Sequence, residues 1–433
     1  MNELGEFSML IITANWAIAD GTIRGGPTQS VVHHFFQEIR RAAWRSGFRQ
    51  RGNYKPIQSI KIILAGDTLD GLISLAWGNK SRPWHNDSRT QVVAEQIFMQ
   101  TVLHGRALLK MLVRLSQQGI AVPSADKRGR PLPGSHIKVP VSITCLAGDR
   151  DHMLMGPWLT SISERFGIFF GNEWSSDTTV VRHGSEFDPL CGSVKVFTDD
   201  RAPTLYESLA IDLVLHFTQW LYDEMPFGRA TKQIGRLLTS ISPLEIPGQM
   251  TSWKRYGREN GLSIACEKSI HDAWHNSVSH WYAQVCSSGI DTRFGYDAAN
   301  ALATWFSSTK IEMPHDFLPM IPSCSTSHST RKHKTNPSNQ RLLVLGHPPL
   351  SSSQDVCEKR NIICLGQIHP IRQNRPHQET FPRVIVVPST HSMHCQQTIS
   401  LMDPTFFSHS RLGPVSVTPS GDVTHEKGII DAA

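Results

Sequence analysis

The chain has only eight cysteines among 433 residues, Cys145, Cys191, Cys266, Cys286, Cys324, Cys357, Cys364 and Cys395, and none is spaced as C-x-x-C or as in a zinc-binding module. They read as reduced thiols, which excludes a disulfide-stapled scaffold. No apolar run approaches the about 20 residues of a membrane span, and the opening MNELGEFSMLIITAN lacks the basic flank of a signal peptide. A cytoplasmic protein with no transmembrane segment is the expectation. Charged residues are 18% of the chain and the net charge is +6. So small a basic excess reads as ordinary surface. No internal repeat is visible.

What is there is a succession of short, β-rich runs, apolar on both faces: MLIITAN (9–15), SIKIILAG (59–66), VPVSITCLAG (139–148), TTVVRHG (178–184) and SVKVF (193–197). Runs of that kind read as buried strands of an α/β sheet. Between the first two, Val32, Phe35, Phe36, Ile39 and Ala43 fall on one helical stripe, with Gly47 as its stop. The region 78–138 predicts a second amphipathic helix over 90–118, ended by Gly119, and then a Pro/Gly/basic loop, SADKRGRPLPGSH. From Thr204 the pattern turns helical. Thr204 and Glu207 have capping-box spacing, and further helices are expected near 228–241, 265–287 and 295–308. Trp274, Val278, Trp281, Tyr282 and Val285 form an aromatic stripe that reads as core.

The division that follows is a core, first part, at 1–200, a helical insertion and possible lid at 201–315, a flexible linker at 323–341, return strands at 342–403 and a loose tail at 404–433. The return strands are RLLVLGH, NIICLG, RVIVVPS and TISLMD.

Several strands end in Gly or Asn followed by a potential metal ligand: Asn15, Asp67 with Asp70, Asp149 with Asp151 and His152, His183 with Asp188, and His347. Sites in α/β proteins gather at the carboxyl ends of strands, where a rigid sheet presents loop side chains. Oxygen and imidazole donors together suit Mn²⁺, Fe²⁺ or Zn²⁺.

GDTLD, then LAGDRD, then HGSEFD, in that order, resemble the motifs of the calcineurin-like metallophosphoesterase family. The bacterial branch that includes UDP-2,3-diacylglucosamine diphosphatase is the most similar part of it. The resemblance covers 9–198, skips the helical block and resumes at 342. It implies a four-layer α/β/β/α sandwich carrying a helical insertion, with two divalent ions about 3.5–4 Å apart and a metal-bound hydroxide attacking a phosphoester. It matches Asp67 to the bridging carboxylate, Asp70 to the second acidic residue of that motif and His183 to an imidazole ligand, with Asp188 bracing the turn. His347 matches the first histidine of a closing GHxH motif, where Pro349 replaces the second; His391 and His394 are a competing pair.

The departures are equally specific. Asn15 stands for the first-motif Asp, Ala17 for its His, Asp149 for an Asn, and Arg150 for a phosphate-facing His. Asn15 and Asp149 thus exchange a carboxylate, and the predicted metal shell is Asn15, Asp67, Asp149, His183 and His347. Arg150 is expected to grip phosphate and His152 to protonate the leaving group. The expected activity is hydrolysis of a phosphomonoester, phosphodiester or diphosphate in a small or lipid-linked molecule. A catalytically degenerate scaffold is the alternative. Nucleic-acid binding through Arg40, Arg41, Arg45, Arg49 and Arg51 ranks below both, since cations gather at helix C-termini in any case.

Overall fold

Met9–Thr13 forms strand β1 and Ile60–Ala65 forms β2, every residue of both buried. Alternation sends Met9, Ile11, Ile60, Ile62 and Leu64 to one hydrophobic cluster and Leu10, Ile12, Ile63 and Ala65 to another. That is why these runs are apolar at consecutive positions: each face has its own cover. The structure, a computed structural model, describes residues 9–49, 52–78, 81–85, 87–154, 165, 167–176, 179–185, 191, 203–225, 234–235 and 263–287, and the segments 342–346, 362–364, 384–388, 398–402, 415–417 and 423–424.

The architecture is mixed α/β with a parallel sheet and helices. The remaining strands are β3 (Ile120–Ala125), β4 (Pro131–Val139), β5 (Val141–Leu146), β6 (Ile168–Gly171), β7 (Glu173–Ser175), β8 (Thr179–Arg182), β9 (Leu342–Leu345), β10 (Ile362–Cys364), β11 (Val384–Pro388), β12 (Thr398–Met402), β13 (Val415–Val417) and β14 (Val423–Thr424). Eight form one sheet in the order β14-β13-β12-β11-β1-β2-β5-β6, and four form a second, β10-β9-β8-β7. β1, β2, β5 and β6 run parallel, so their carboxyl ends meet at one edge. β8 and β9 are parallel to each other in the smaller sheet. β11 joins β1 antiparallel, so chain beyond the helical block returns to the sheet that opened the protein. After Pro404, where a loose tail was expected, β13 and β14 extend that sheet.

The two faces of the large sheet are covered differently. Helices α1 (Gln29–Arg45) and α3 (Arg106–Gln118) lay Val32, Phe35, Ile39, Leu108, Leu112 and Leu115 on one face. The other face meets the small sheet through Leu146, Val181 and Val344, with Trp174 beside them. Truncating one such buried aliphatic to Ala costs about 2–5 kcal/mol.

The helix expected over 90–118 is two helices, α2 (Ser88–His104) and α3, broken at Gly105. Ile18 lies so close to Gly105 that a Cβ there would sit 2.9 Å from its Cγ2, and the rod turns where the backbone is approached. The loop expected at 124–136 is instead the ribbon β3–β4. Asp126 closes its turn by accepting from the backbone N–H groups of Arg128 and Arg130, both at 2.8 Å. In the helical block, α4 (Leu205–Ser208) begins at Thr204 with both capping-box bonds formed, continues as a π-helical segment Leu209–Leu215 and ends as α5 (His216–Glu224). α6 (Ile264–Ser287) buries Trp274, Val278 and Trp281, so that part of the aromatic stripe is core. Helices expected at 295–308 and over most of 228–241, the strand at 193–197, the linker, Asp188, His347, His391 and His394 lie outside the described residues.

Candidate metal centre

Among the described residues, three that are not glycine adopt positive φ: Asn15 (58°), Ala17 (46°) and Asp67 (50°). All three sit just past the ends of β1 and β2. Left-handed backbone costs an ordinary residue about 1–2 kcal/mol, and such strain persists where the surroundings hold it. Here the two loops hold each other. Asn15 N–H donates to Gly66 O at 3.2 Å, Ala17 N–H to Asp67 O at 2.8 Å and Asp70 N–H to Ile18 O at 2.6 Å.

Gly66, at φ 89°, makes the turn out of β2. A Cβ there would overlap the His183 ring, so the position serves both the turn and the close approach of the imidazole. Gly148, after β5, allows a second close approach, since a Cβ there would overlap Asp67 Oδ1.

Asp67, Asp149 and His183 converge in that space, all buried, with one donor atom of each lying within 4.8 Å of the others. His183 Nδ1–H donates to Ala65 O at 3.0 Å, which leaves Nε2 facing Asp149 Oδ1 at 2.6 Å and Asp67 Oδ2 at 3.6 Å. Burial disfavours a charged imidazole, but the carboxylates of Asp67 and Asp149 outweigh it and push His183 up to about 10. Two carboxylates and an imidazole whose other nitrogen is fixed by a backbone carbonyl fit a divalent ion of the Mn²⁺, Fe²⁺ or Zn²⁺ class.

Around the triad the loops are stapled by side chains. Asp151 accepts from the N–H groups of Gly148 (2.6 Å) and Thr68 (3.0 Å), tying the loop after β5 to the loop after β2. Burial and then the neighbouring Asp67 raise its pKa. Asp70 accepts from Ile73 N–H at 3.1 Å and from Arg150 Nη1 at 3.0 Å, and pairs with Arg24. Asp70 is therefore held by two guanidiniums and its own turn.

Arg150 donates its backbone N–H to Asp67 Oδ1 at 3.1 Å, and its Nη2 binds the Tyr206 hydroxyl. Burial opposes its charge, yet Tyr206, Asp70 and Asp67 more than compensate and hold its pKa above the ordinary value. Arg24 moves the other way, lowered by burial and then, despite Asp70, by the neighbouring charge of Arg150. His152 is buried, its Nδ1 2.9 Å from Asp149 O and its Nε2 3.4 Å from Glu207. Asn15 donates from Nδ2 to Gly346 O at 2.9 Å, linking the end of β1 to the end of β9.

Of the sequence-expected site residues, Asp67, Asp149 and His183 come together, with Arg150 and His152 in the same loop system and Asn15 bonded to its backbone. Sequence reasoning missed Arg24, Tyr206 and Glu207. The capping-box spacing marked Thr204 and Glu207 as a helix start, but nothing in it says that this first turn packs on the loop after β5. Comparison of the chain with protein-family models, with curated proteins and with solved structures finds no match in any of the three.

Proposed function

We propose that the chain is a divalent-metal-dependent phosphoesterase whose metal is held by Asp67, Asp149 and His183. The observation that carries the reading is the convergence of those three buried donors at neighbouring strand ends. A bound divalent ion there supplies Lewis-acid charge against a phosphoryl oxygen and against the attacking water.

The chain's own residues do the rest. Ala65 fixes the His183 ring, Arg150 fixes Asp67 through its backbone N–H and Asp70 through its guanidinium, and Asp151 keeps the two acidic loops in register. Asn15 and His347 are the residues proposed to complete a second ion position. The proposed fold is the α/β/β/α sandwich, supported by the helices on one face of the large sheet and the small sheet on the other. The proposed substrate is a phosphomonoester, phosphodiester or diphosphate in a small or lipid-linked molecule.

A second reading has its own support. Arg150 already binds Asp70 and Tyr206, and His152 pairs with Glu207, so neither is offered outward as a phosphate grip or a proton donor. That favours a metal-holding scaffold without turnover.

The test is metal content by elemental analysis of the full chain beside Asp67→Ala and His183→Ala, followed by chromogenic phosphomonoesters and phosphodiesters with Mn²⁺ present. Metal that both variants lose, together with ester hydrolysis they lack, supports the phosphoesterase. Metal without hydrolysis of any ester moves the chain to the scaffold reading. Absence of metal in the unaltered protein after incubation with Mn²⁺ sinks both.

A further inference from the structure

α6 carries the run His271-Asp272-Ala273-Trp274-His275, with imidazoles four residues apart. That spacing puts both on one face, one turn apart. Trp274, Val278 and Trp281 turn into the core, so the histidine face lies beside the buried seam and the His271 side chain is 39% exposed.

The two rings are set for more than proximity. His271 Nε2 and His275 Nε2 stand 3.1 Å apart, at hydrogen-bond distance from each other, with ring centroids at 4.3 Å, so a bound ion takes the place of the proton they share. An ion about 2.0–2.1 Å from each nitrogen would see that 3.1 Å separation at about 95–100°, between the octahedral and tetrahedral angles. Asp272 Oδ1, 3.8 Å from His271 Nδ1, adds a negative charge beside the pair.

We infer that His271 and His275 form a second metal site, a surface clamp for a borderline divalent ion of the zinc class. It is independent of the buried triad and of the proposed activity. The donors differ in kind: nitrogen alone on α6 selects Zn²⁺, Ni²⁺ or Cu²⁺ over Mn²⁺, whereas the carboxylate-rich triad accepts Mn²⁺. Among the described residues no third His, Cys, Asp or Glu completes a three-ligand cluster at this place. A bound ion ties one helical turn to the next and opposes fraying of α6.

The experiment is equilibrium dialysis of the full chain against Zn²⁺ and, separately, Mn²⁺, with His271→Ala, His275→Ala and, as control, His280→Ala on the same helix. Alanine favours helix, so helicity by circular dichroism is expected to hold. The expected result is one zinc equivalent fewer, or its affinity at least about tenfold weaker, in His271→Ala and in His275→Ala, with zinc uptake by His280→Ala and manganese uptake by all four proteins unchanged. Equal zinc uptake in all four proteins overturns the site. Equal loss in the His280 control overturns it too, because the ion would then not be choosing the pair one turn apart.

Discussion

The triad at the strand ends and the histidine pair on α6 both bring imidazole to a possible cation, by opposite routes. Asp67, Asp149 and His183 come from three separate strands and are held by strained backbone, glycine turns and backbone hydrogen bonds. His271 and His275 come from one turn of one helix, and local geometry alone sets their separation. The difference teaches where preorganisation resides. A site built across strands depends on every loop around it and takes strain, whereas a site on one helix turn needs only that the helix form.

The largest expected effect is at Gly148. Gly148→Ala drives a Cβ into Asp67, so unfolding free energy should fall by about 3 kcal/mol or more in denaturant titration, with Mn²⁺ uptake lost. Unchanged stability would break the contrast, since the strand-end loops would then have room to yield. Asp67→Asn keeps the shape and removes the charge; Mn²⁺ affinity at the triad should fall at least about 100-fold, and zinc uptake at α6 should not move.

A pH measurement separates the two regions further. The folded-state value of His183, about 10, lies above its ordinary 6.5, so the native state holds the proton more tightly than the unfolded chain. Its contribution to the stability of the metal-free protein is therefore complete below about pH 6.5 and is lost as pH rises through about 10. Thermal melts across that range should show the decline. Loading with Mn²⁺ near pH 8 should release about one proton per chain, read by pH-stat titration, as the ion replaces it on His183.

Smaller effects test the staples. Tyr206→Phe removes the hydroxyl that Arg150 binds and should cost about 1–2 kcal/mol by chemical unfolding, since the buried guanidinium loses a partner. Arg182→Ala, which breaks the pair with Glu173 in which both side chains are exposed, should change stability by no more than about 0.5 kcal/mol. Were the two equal, burial would not be what distinguishes them.

Much of this was legible along the chain. The strands at 9–13, 60–65, 141–146 and 179–182 announce themselves as apolar runs ending at Gly, Asn or Ala, because a sheet covered on both faces needs consecutive apolar positions. Asp67, Asp149 and His183 stand out as polar residues just beyond such runs. The break at Gly105 was not legible, because it answers to Ile18, distant in sequence. The ribbon β3–β4 was hidden by Pro and Gly, which read as loop until Asp126 closes the turn between paired strands.

Local pattern therefore determined the elements and the residues able to ligate, since periodicity and turn chemistry act over a few residues. Tertiary structure alone decided which of them meet. His183 bonds Ala65 across 118 positions, and Arg150 reaches Tyr206 across 56. Such meetings depend on strand order and on how the helical block packs against the loop after β5. Both are long-range choices driven by non-directional burial, which leaves no periodic mark on the chain.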